Sequence, residues 1–256
     1  MSDFSGKHGL VVGVANKRSI VWAIAQAAAQ SGARLAITYQ GRFEDRVREL
    51  AADVSQPLIL PCDVTDDAQI ADVFAAIERE FGGLDFLVHG AAFAPTAELD
   101  APFVQTTREG FRTTLEVSAY SLVALARGAA PLMAKRGGGS ILTLTYLGSE
   151  RVFKNYNVMG VAKAALEACV RYLAADLGQQ NIRVNAISAG PIKTLAAMGI
   201  SGFSNILGVY RERSPLARNI DAGEVADAAM FLLGPAGKAV TAETLFVDAG
   251  FHAMGF

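Results

Sequence analysis

Cysteine, histidine and tryptophan are scarce in this sequence, and it has neither a long unbroken apolar run nor a charge excess. Its two cysteines, Cys62 and Cys169, are too few for a disulfide framework and lack the spacing of metal ligands. They read as two reduced structural thiols in a cytoplasmic protein. His8, His89 and His252 are scattered and suggest no metal site. The formal net charge of −2 offers nucleic acid no electrostatic footprint. No apolar run reaches the ~18 residues that a bilayer span needs, because charged or polar groups interrupt each one. The opening MSDFSGKHGL has no signal-peptide design. These gaps argue against a secreted disulfide scaffold, a His/Cys metalloenzyme, a nucleic-acid binder and a membrane-spanning chain.

What is present is alternation. The chain has 256 residues, 52% of them hydrophobic, enough for one domain with a sizeable core. Apolar strand-like runs at residues 7–13, 33–39, 58–61, 84–89, 140–146, 182–187 and 244–247 alternate with helical patterns. The helices are expected over residues 19–31, 42–54, 66–81 (with Thr65 as N-cap), 107–136, 157–179 and 224–233. In the long fourth helix, Gly110 and Gly128 are weak points. Strand–helix alternation predicts an α/β fold: a single Rossmann-type, doubly wound parallel sheet of about seven strands with helices on both faces. No repeat or composition break marks a linker, so residues 1–256 read as one domain. Residues 195–213 stand out as an irregular apolar insertion with glycines at 199, 202 and 208, suited to a small substrate lid.

Sheets of this kind bind ligands outside the carboxyl ends of their strands, where strand order reverses. The first turn, Gly13-Val-Ala-Asn-Lys-Arg-Ser19-Ile20, would aim backbone N–H groups and a helix N-terminus at a pyrophosphate. The usual G-x-G-x-x-G is absent. Only Gly13 is clearly in place, with small Ala15 and Ser19 standing in, so an ordinary βα loop is the competing reading. Asp63 after the third strand favours the cofactor reading. After the second strand comes Tyr39-Gln40-Gly41-Arg42, with neither the acid that holds a ribose 2′-OH nor an immediate Arg for a 2′-phosphate. Gln40 suits a ribose hydroxyl. Arg42 is either a phosphate clamp or a solvated helix-start residue. The balance favours NADH over NADPH.

The densest chemistry is Tyr146, Tyr156 and Lys163, set ten and then seven residues apart. Seven residues turn a helix by ~700°, so Tyr156 and Lys163 share a face. A cation there lowers the cost of a phenolate at Tyr156 and reaches a bound ligand. Tyr146 ends a strand above the same helix start. Taken singly, Tyr146 also reads as a packing aromatic, Tyr156 with Lys163 as a surface pair, and Met159 as core. Together, two phenols and an ammonium at a strand end suit the stabilisation of an oxyanion.

From about residue 5 to 255 the chain resembles the NADH-dependent enoyl-[acyl-carrier-protein] reductase branch of the short-chain dehydrogenase/reductase superfamily. The resemblance rests on GVANKRSI at 13–20, FAP at 93–95, REGF at 108–111, TYLGSERV at 145–152, NYNVMGVAKAALE at 155–167, RVNAISAGPIKT at 183–194 and VDAGFHAMG at 247–255. Its most specific mark is Tyr-x6-Lys at 156–163. Commoner superfamily members use Tyr-x3-Lys with an earlier catalytic Ser, and that region here reads Leu142-Thr143-Leu144-Thr145. The resemblance implies hydride transfer to the β-carbon of a trans-2-enoyl thioester, with Tyr156 bonding the enolate oxygen and Lys163 the nicotinamide ribose. It implies cofactor contacts from Gly13, Ser19, Ile20, Gln40, Asp63, Val64, Gly90, Ala91, Lys163, Ile192 and Thr194. It implies substrate contacts from Ala94, Tyr146, Tyr156, Met159, Ala197, Ile200 and Phe203, and catalytic roles for Tyr146, Tyr156 and Lys163. An acyl carrier protein thioester is the expected partner, and a homotetramer the expected assembly. One departure stands out. Where family members commonly carry His-Ser-Ile, this chain has His89-Gly90-Ala91, which thins the wall beside the cofactor. A carbonyl or alcohol oxidoreductase is the alternative within the superfamily, but it would need the missing Ser. A non-catalytic cofactor-binding protein is a third reading, opposed by the intact Tyr156 and Lys163.

Overall fold

The apolar runs become seven parallel strands: β1 (His8–Val12), β2 (Arg34–Tyr39), β3 (Leu58–Pro61), β4 (Phe86–His89), β5 (Gly139–Thr145), β6 (Ile182–Ala189) and β7 (Thr244–Val247). The computed structural model describes residues 3–194, 197 and 203–255. Strand order is β3-β2-β1-β4-β5-β6-β7, with every pairing parallel. Order reverses between β1 and β4, where a ligand crevice is expected.

Period-two alternation builds two cores. In β1, Leu10 and Val12 face one apolar cluster and Val11 the other. The helices are α1 (Ile20–Gln30), α2 (Glu44–Ala51), α3 (Asp67–Phe81), α4 (Thr96–Asp100), α5 (Arg108–Leu115), α6 (Ser121–Ala134), α7 (Asn157–Leu177), α8 (Phe203–Arg213) and α9 (Ala222–Leu233). Helices α3, α6 and α7 cover the first cluster, and α1, α2 and α9 the second. Ala25 and Ala28 of α1 are fully buried, so this alanine-rich helix lies close on the sheet. Cys62 is buried at the end of β3, where burial pushes its thiol up to about 11.

Several expected details differ. Asp66 is the N-cap of α3, accepting from the Ala68 and Gln69 amides; the Thr65 side chain instead bonds Asp63. The long helix is interrupted at Glu116–Tyr120 by a π-helical turn, and neither glycine breaks it. A Cβ on Gly110 would lie 2.2 Å from Glu98 Oε1, and one on Gly128 2.2 Å from the Phe74 ring. Both glycines permit close packing. The π turn presents Ser118, whose hydroxyl accepts from the Phe93 amide at 2.9 Å and donates to the Phe93 carbonyl at 3.1 Å. Wide turns of this kind often serve functional sites. The helical stretch Arg108–Ala134 contains 18 residues with a mean hydropathy of 1.3, long and apolar enough to cross a bilayer, but 61% of those residues are buried inside the fold. The insertion at 195–213 is helical from Phe203 onward.

Candidate active site

At the reversal point the ends of β1 and β4 touch. Gly13 adopts φ +98, and a Cβ there would meet the Gly90 carbonyl carbon at 2.6 Å. Conformation and space both demand glycine. The following turn is organised by Ser19, whose Oγ accepts from the Ala15 and Asn16 amides at 3.2 Å each. Ser19 thus shapes the loop that leads into Ile20 and the N-terminus of α1. Gly90 lies against α1. A Cβ there would lie 2.3 Å from Val21 Cγ1, so α1 fills the space that a larger residue would need. Ala91 follows half-buried.

Across the next crevice, Asp63 accepts from the Thr65 amide at 3.0 Å and the Thr65 hydroxyl at 2.8 Å. These bonds, with one from Gln40, hold its carboxyl below the usual carboxylate range despite partial burial. Gln40 and Asp63 therefore sit together at the ends of β2 and β3, with Val64 half-buried beside them. Arg42 stacks its guanidinium 4.7 Å over the Phe43 ring. The glycine contact, the helix N-terminus and this polar pair fit a dinucleotide with free ribose hydroxyls.

β5 and α7 position the two tyrosines. Tyr146 follows the last residue of β5, and Tyr156 is the N-cap of α7. Tyr156 is flanked by two left-handed residues, Asn155 (φ 65) and Asn157 (φ 38). Asparagine tolerates that region better than most side chains. The Asn157 amide donates to the carbonyls of Leu99 (2.8 Å) and Ala101 (2.7 Å), fastening the strained turn to α4. The Tyr156 ring meets Tyr146 edge-on, with centroids 5.1 Å apart, and rests so close to Gly148 that a Cβ there would strike it at 2.5 Å.

Burial holds the Tyr156 phenol well above its ordinary range, reinforced by Tyr146 and Glu167. The site thus favours a neutral O–H donor rather than the phenolate suggested by spacing alone. Burial likewise pushes Tyr146 up to about 12. Lys163 is 7% exposed and donates to the Leu144 carbonyl at 2.8 Å. Burial brings it down to about 8, against Glu167, which favours its charge. Glu167, one turn further along α7 and also buried, accepts from the Thr145 hydroxyl at 2.6 Å. His89 bridges Thr143 Oγ1 (2.7 Å) and Ser121 Oγ (2.8 Å), tying β4 to β5 and α6. Burial and the Lys163 charge hold it down at about 3, so it is neutral.

An apolar cluster joins Tyr156, Met159, Leu99, Val158 and Ala162, with Ala94, Tyr146 and Phe153 packed against it. The sequence-predicted substrate residues Ala94, Tyr146, Tyr156 and Met159 are therefore brought together. Ile192 packs on the second core. The Thr194 hydroxyl accepts from the Ala197 amide at 3.1 Å. Phe203 is half-buried at the start of α8. Ile200, with most of residues 195–202, lies outside the described residues. A cavity of about 420 Å³ opens between residues 191–193 and α8, lined in part by Ile192, Ser204, Leu207 and Asn219. Sequence reasoning passed over Ser118, Glu167 and Tyr210. Glu167 falls four residues after Lys163, a spacing that could have marked it.

A family model described as enoyl-(acyl carrier protein) reductase matches residues 13–252. The NADH-dependent enoyl-[acyl-carrier-protein] reductase FabI of Bacillus subtilis is 52% identical over 98% of this chain and 97% of its own length. A crystal structure of the Bacillus cereus enoyl-acyl carrier protein reductase with NADP+ and indole naphthyridinone has a TM-score of 0.97 and 50% identity, covering 100% of both chains. The Anaplasma phagocytophilum reductase in complex with NAD has a TM-score of 0.95 and 47% identity, covering 100% of this chain and 98% of that one. With the Tyr-x6-Lys helix, the reversal-point glycines and these full-length matches agreeing, the chain belongs to the enoyl-(acyl carrier protein) reductase family.

Proposed function

We propose that this protein reduces the trans-2 double bond of enoyl thioesters carried on acyl carrier protein, using NADH, in bacterial type II fatty-acid synthesis. The observation that carries this reading is the burial of both Tyr156, at the N-cap of α7, and Lys163, two turns along it, with Tyr146 edge-on to Tyr156. When bound, the dihydronicotinamide supplies hydride to the substrate β-carbon. Tyr156 donates its neutral O–H to the thioester oxygen, where negative charge develops, and this contact strengthens in the transition state. Lys163 exchanges the Leu144 carbonyl for the nicotinamide ribose hydroxyls. Gly13, Ser19, Ile20, Gly90 and Ala91 line the pyrophosphate and nicotinamide path. Gln40, Asp63 and Val64 take the adenosine half, and Ile192 and Thr194 cover the nicotinamide. Ala94, Met159 and Phe203 offer apolar surface to the acyl chain, and the lid that excludes water is assigned to the segment whose described part is α8.

Two features favour C=C over C=O reduction and NADH over NADPH. The β5 hydroxyls are already engaged, Thr143 with His89 and Thr145 with Glu167, so neither accompanies Tyr156 as a carbonyl proton donor. Asp63 stays charged beside Gln40, and a carboxylate repels a 2′-phosphate. The deciding assay follows NADH oxidation with crotonyl-CoA and then with acetoacetyl-CoA. Enoyl turnover with little ketone reduction is expected, with a lower kcat/KM for NADPH. Ketone reduction without enoyl turnover would sink the reading.

The assembly we infer is a homotetramer in the cytoplasm, where the two free thiols remain reduced. Phe111, Tyr120, Val161 and Tyr172 on α5, the π turn and α7 are exposed, Tyr172 at 77%. Apolar groups spread over these helices suit closed two-fold packing. Light scattering at micromolar concentration should give a tetramer mass, and a monomer mass would refute it.

A further inference from the structure

Tyr210 has no part in the pattern that marks the family, yet it is one of the largest buried side chains among the described residues, at 2% exposure. It lies on α8, and its hydroxyl meets the Tyr146 hydroxyl at 3.3 Å, across 64 residues of sequence. Its ring stacks on Phe251 with centroids 3.7 Å apart and planes at 16°. Phe251 is itself fixed. Asp248 accepts from the Gly250 and His252 amides and from His252 Nδ1. Arg151, in the loop between Tyr146 and Tyr156, donates to the His252 and Met254 carbonyls. Helix α8, the C-terminal turn and the catalytic loop thus close a circuit around one phenol.

We propose that Tyr210 is a positioning residue for the reduction, donating its hydroxyl hydrogen to the Tyr146 oxygen and so turning the Tyr146 proton toward the Tyr156 side of the pocket. This rests on the enoyl-reductase reading above. A buried phenol needs a partner, and the Tyr146 oxygen is the one the structure gives it. A tyrosine oxygen that accepts one hydrogen bond becomes a better donor in the next, by cooperative polarisation. The direction agrees with the electrostatics, since the Tyr210 bond pulls the Tyr146 phenol down against burial. The 3.3 Å separation is long for two hydroxyls, and contacts of this kind tighten when substrate completes the site. Because Tyr210 rides on α8, the donor strength of Tyr146 becomes tied to the position of the helix that follows the lid segment.

Tyr210→Phe keeps the ring and its stacking on Phe251 and removes only the hydroxyl. With crotonyl-CoA and NADH, kcat should fall about 3- to 10-fold, the scale of one net hydrogen bond, with the NADH Kd unchanged and the melting temperature lowered by only a few degrees. In a Tyr146→Phe background, followed in single turnover at high enzyme concentration, the same substitution should have no further effect. Tyr210→Ala, which also loses the stacking, should lower the melting temperature further. An unchanged kcat in Tyr210→Phe overturns the proposal, as do effects of Tyr146→Phe and Tyr210→Phe that simply multiply. A wild-type enzyme inactive on enoyl thioesters is a separate failure, of the functional reading itself, and is seen before any variant is made.

Discussion

Tyr156→Phe is expected to lower kcat for an enoyl thioester by ~10²–10³, the usual consequence of losing a preorganised oxyanion donor. The ring itself should stay in place. It is held between Gly148 and Tyr146, and phenylalanine fills the same volume. The NADH Kd and melting temperature should therefore move little. The loss is large because Tyr156 is buried and its phenol is held neutral, so it needs no reorganisation when charge appears on the thioester oxygen. A water molecule entering the vacated position would trim the effect but could not be held as rigidly. Following NADH absorbance with crotonyl-CoA for wild type and variant measures it. A loss below tenfold would move the donor role elsewhere, with Tyr146 the next phenol in line.

The Tyr156–Lys163 spacing is readable because its signal is local. A seven-residue spacing sets Lys163 about two turns along from Tyr156, and the structure makes Tyr156 the N-cap of that helix. The strands were legible for a similar reason, since fully buried parallel strands read as unbroken apolar runs. What escaped was set by distant partners. The turn at Glu116–Tyr120 owes its place to Ser118 gripping Phe93, 25 residues away, and no propensity scale records that. Gly110 and Gly128 read as weak points when they are contact points against Glu98 and Phe74. Helix α8 was hidden by Gly208, although Phe203, Ile206 and Tyr210 already lay at helical spacing. The upward push of burial on Tyr156 is a property of the fold, whereas the lysine that favours a phenolate is visible in the sequence.

Lys163→Ala should weaken NADH binding by about 10- to 150-fold, since hydrogen bonds from a charged group are worth roughly 1.5–3 kcal/mol. The ammonium is held by the Leu144 carbonyl at 2.8 Å, with Glu167 one turn along α7 and neutral His89 on β4. Two forces set its charge. Burial favours the neutral amine and Glu167 the ammonium, and burial wins, bringing the group to about 8. Lys163 is therefore charged below that pH and loses its proton above it. If the ammonium is the form that binds the ribose hydroxyls, NADH affinity should be flat on the acid side of about pH 8. It should then decline toward a tenfold loss per pH unit on the alkaline side. Lys163→Ala should abolish this alkaline decline as well as lowering affinity throughout. The alanine also leaves the Glu167 carboxylate buried with the Thr145 hydroxyl but without its cation, so the melting temperature should drop too. Fluorescence titration of NADH across pH 6 to 10 for both proteins reads affinity and pH dependence together. A variant that binds NADH as tightly as wild type, or one that keeps the alkaline decline, would remove Lys163 from the ribose site and assign the titration to another group.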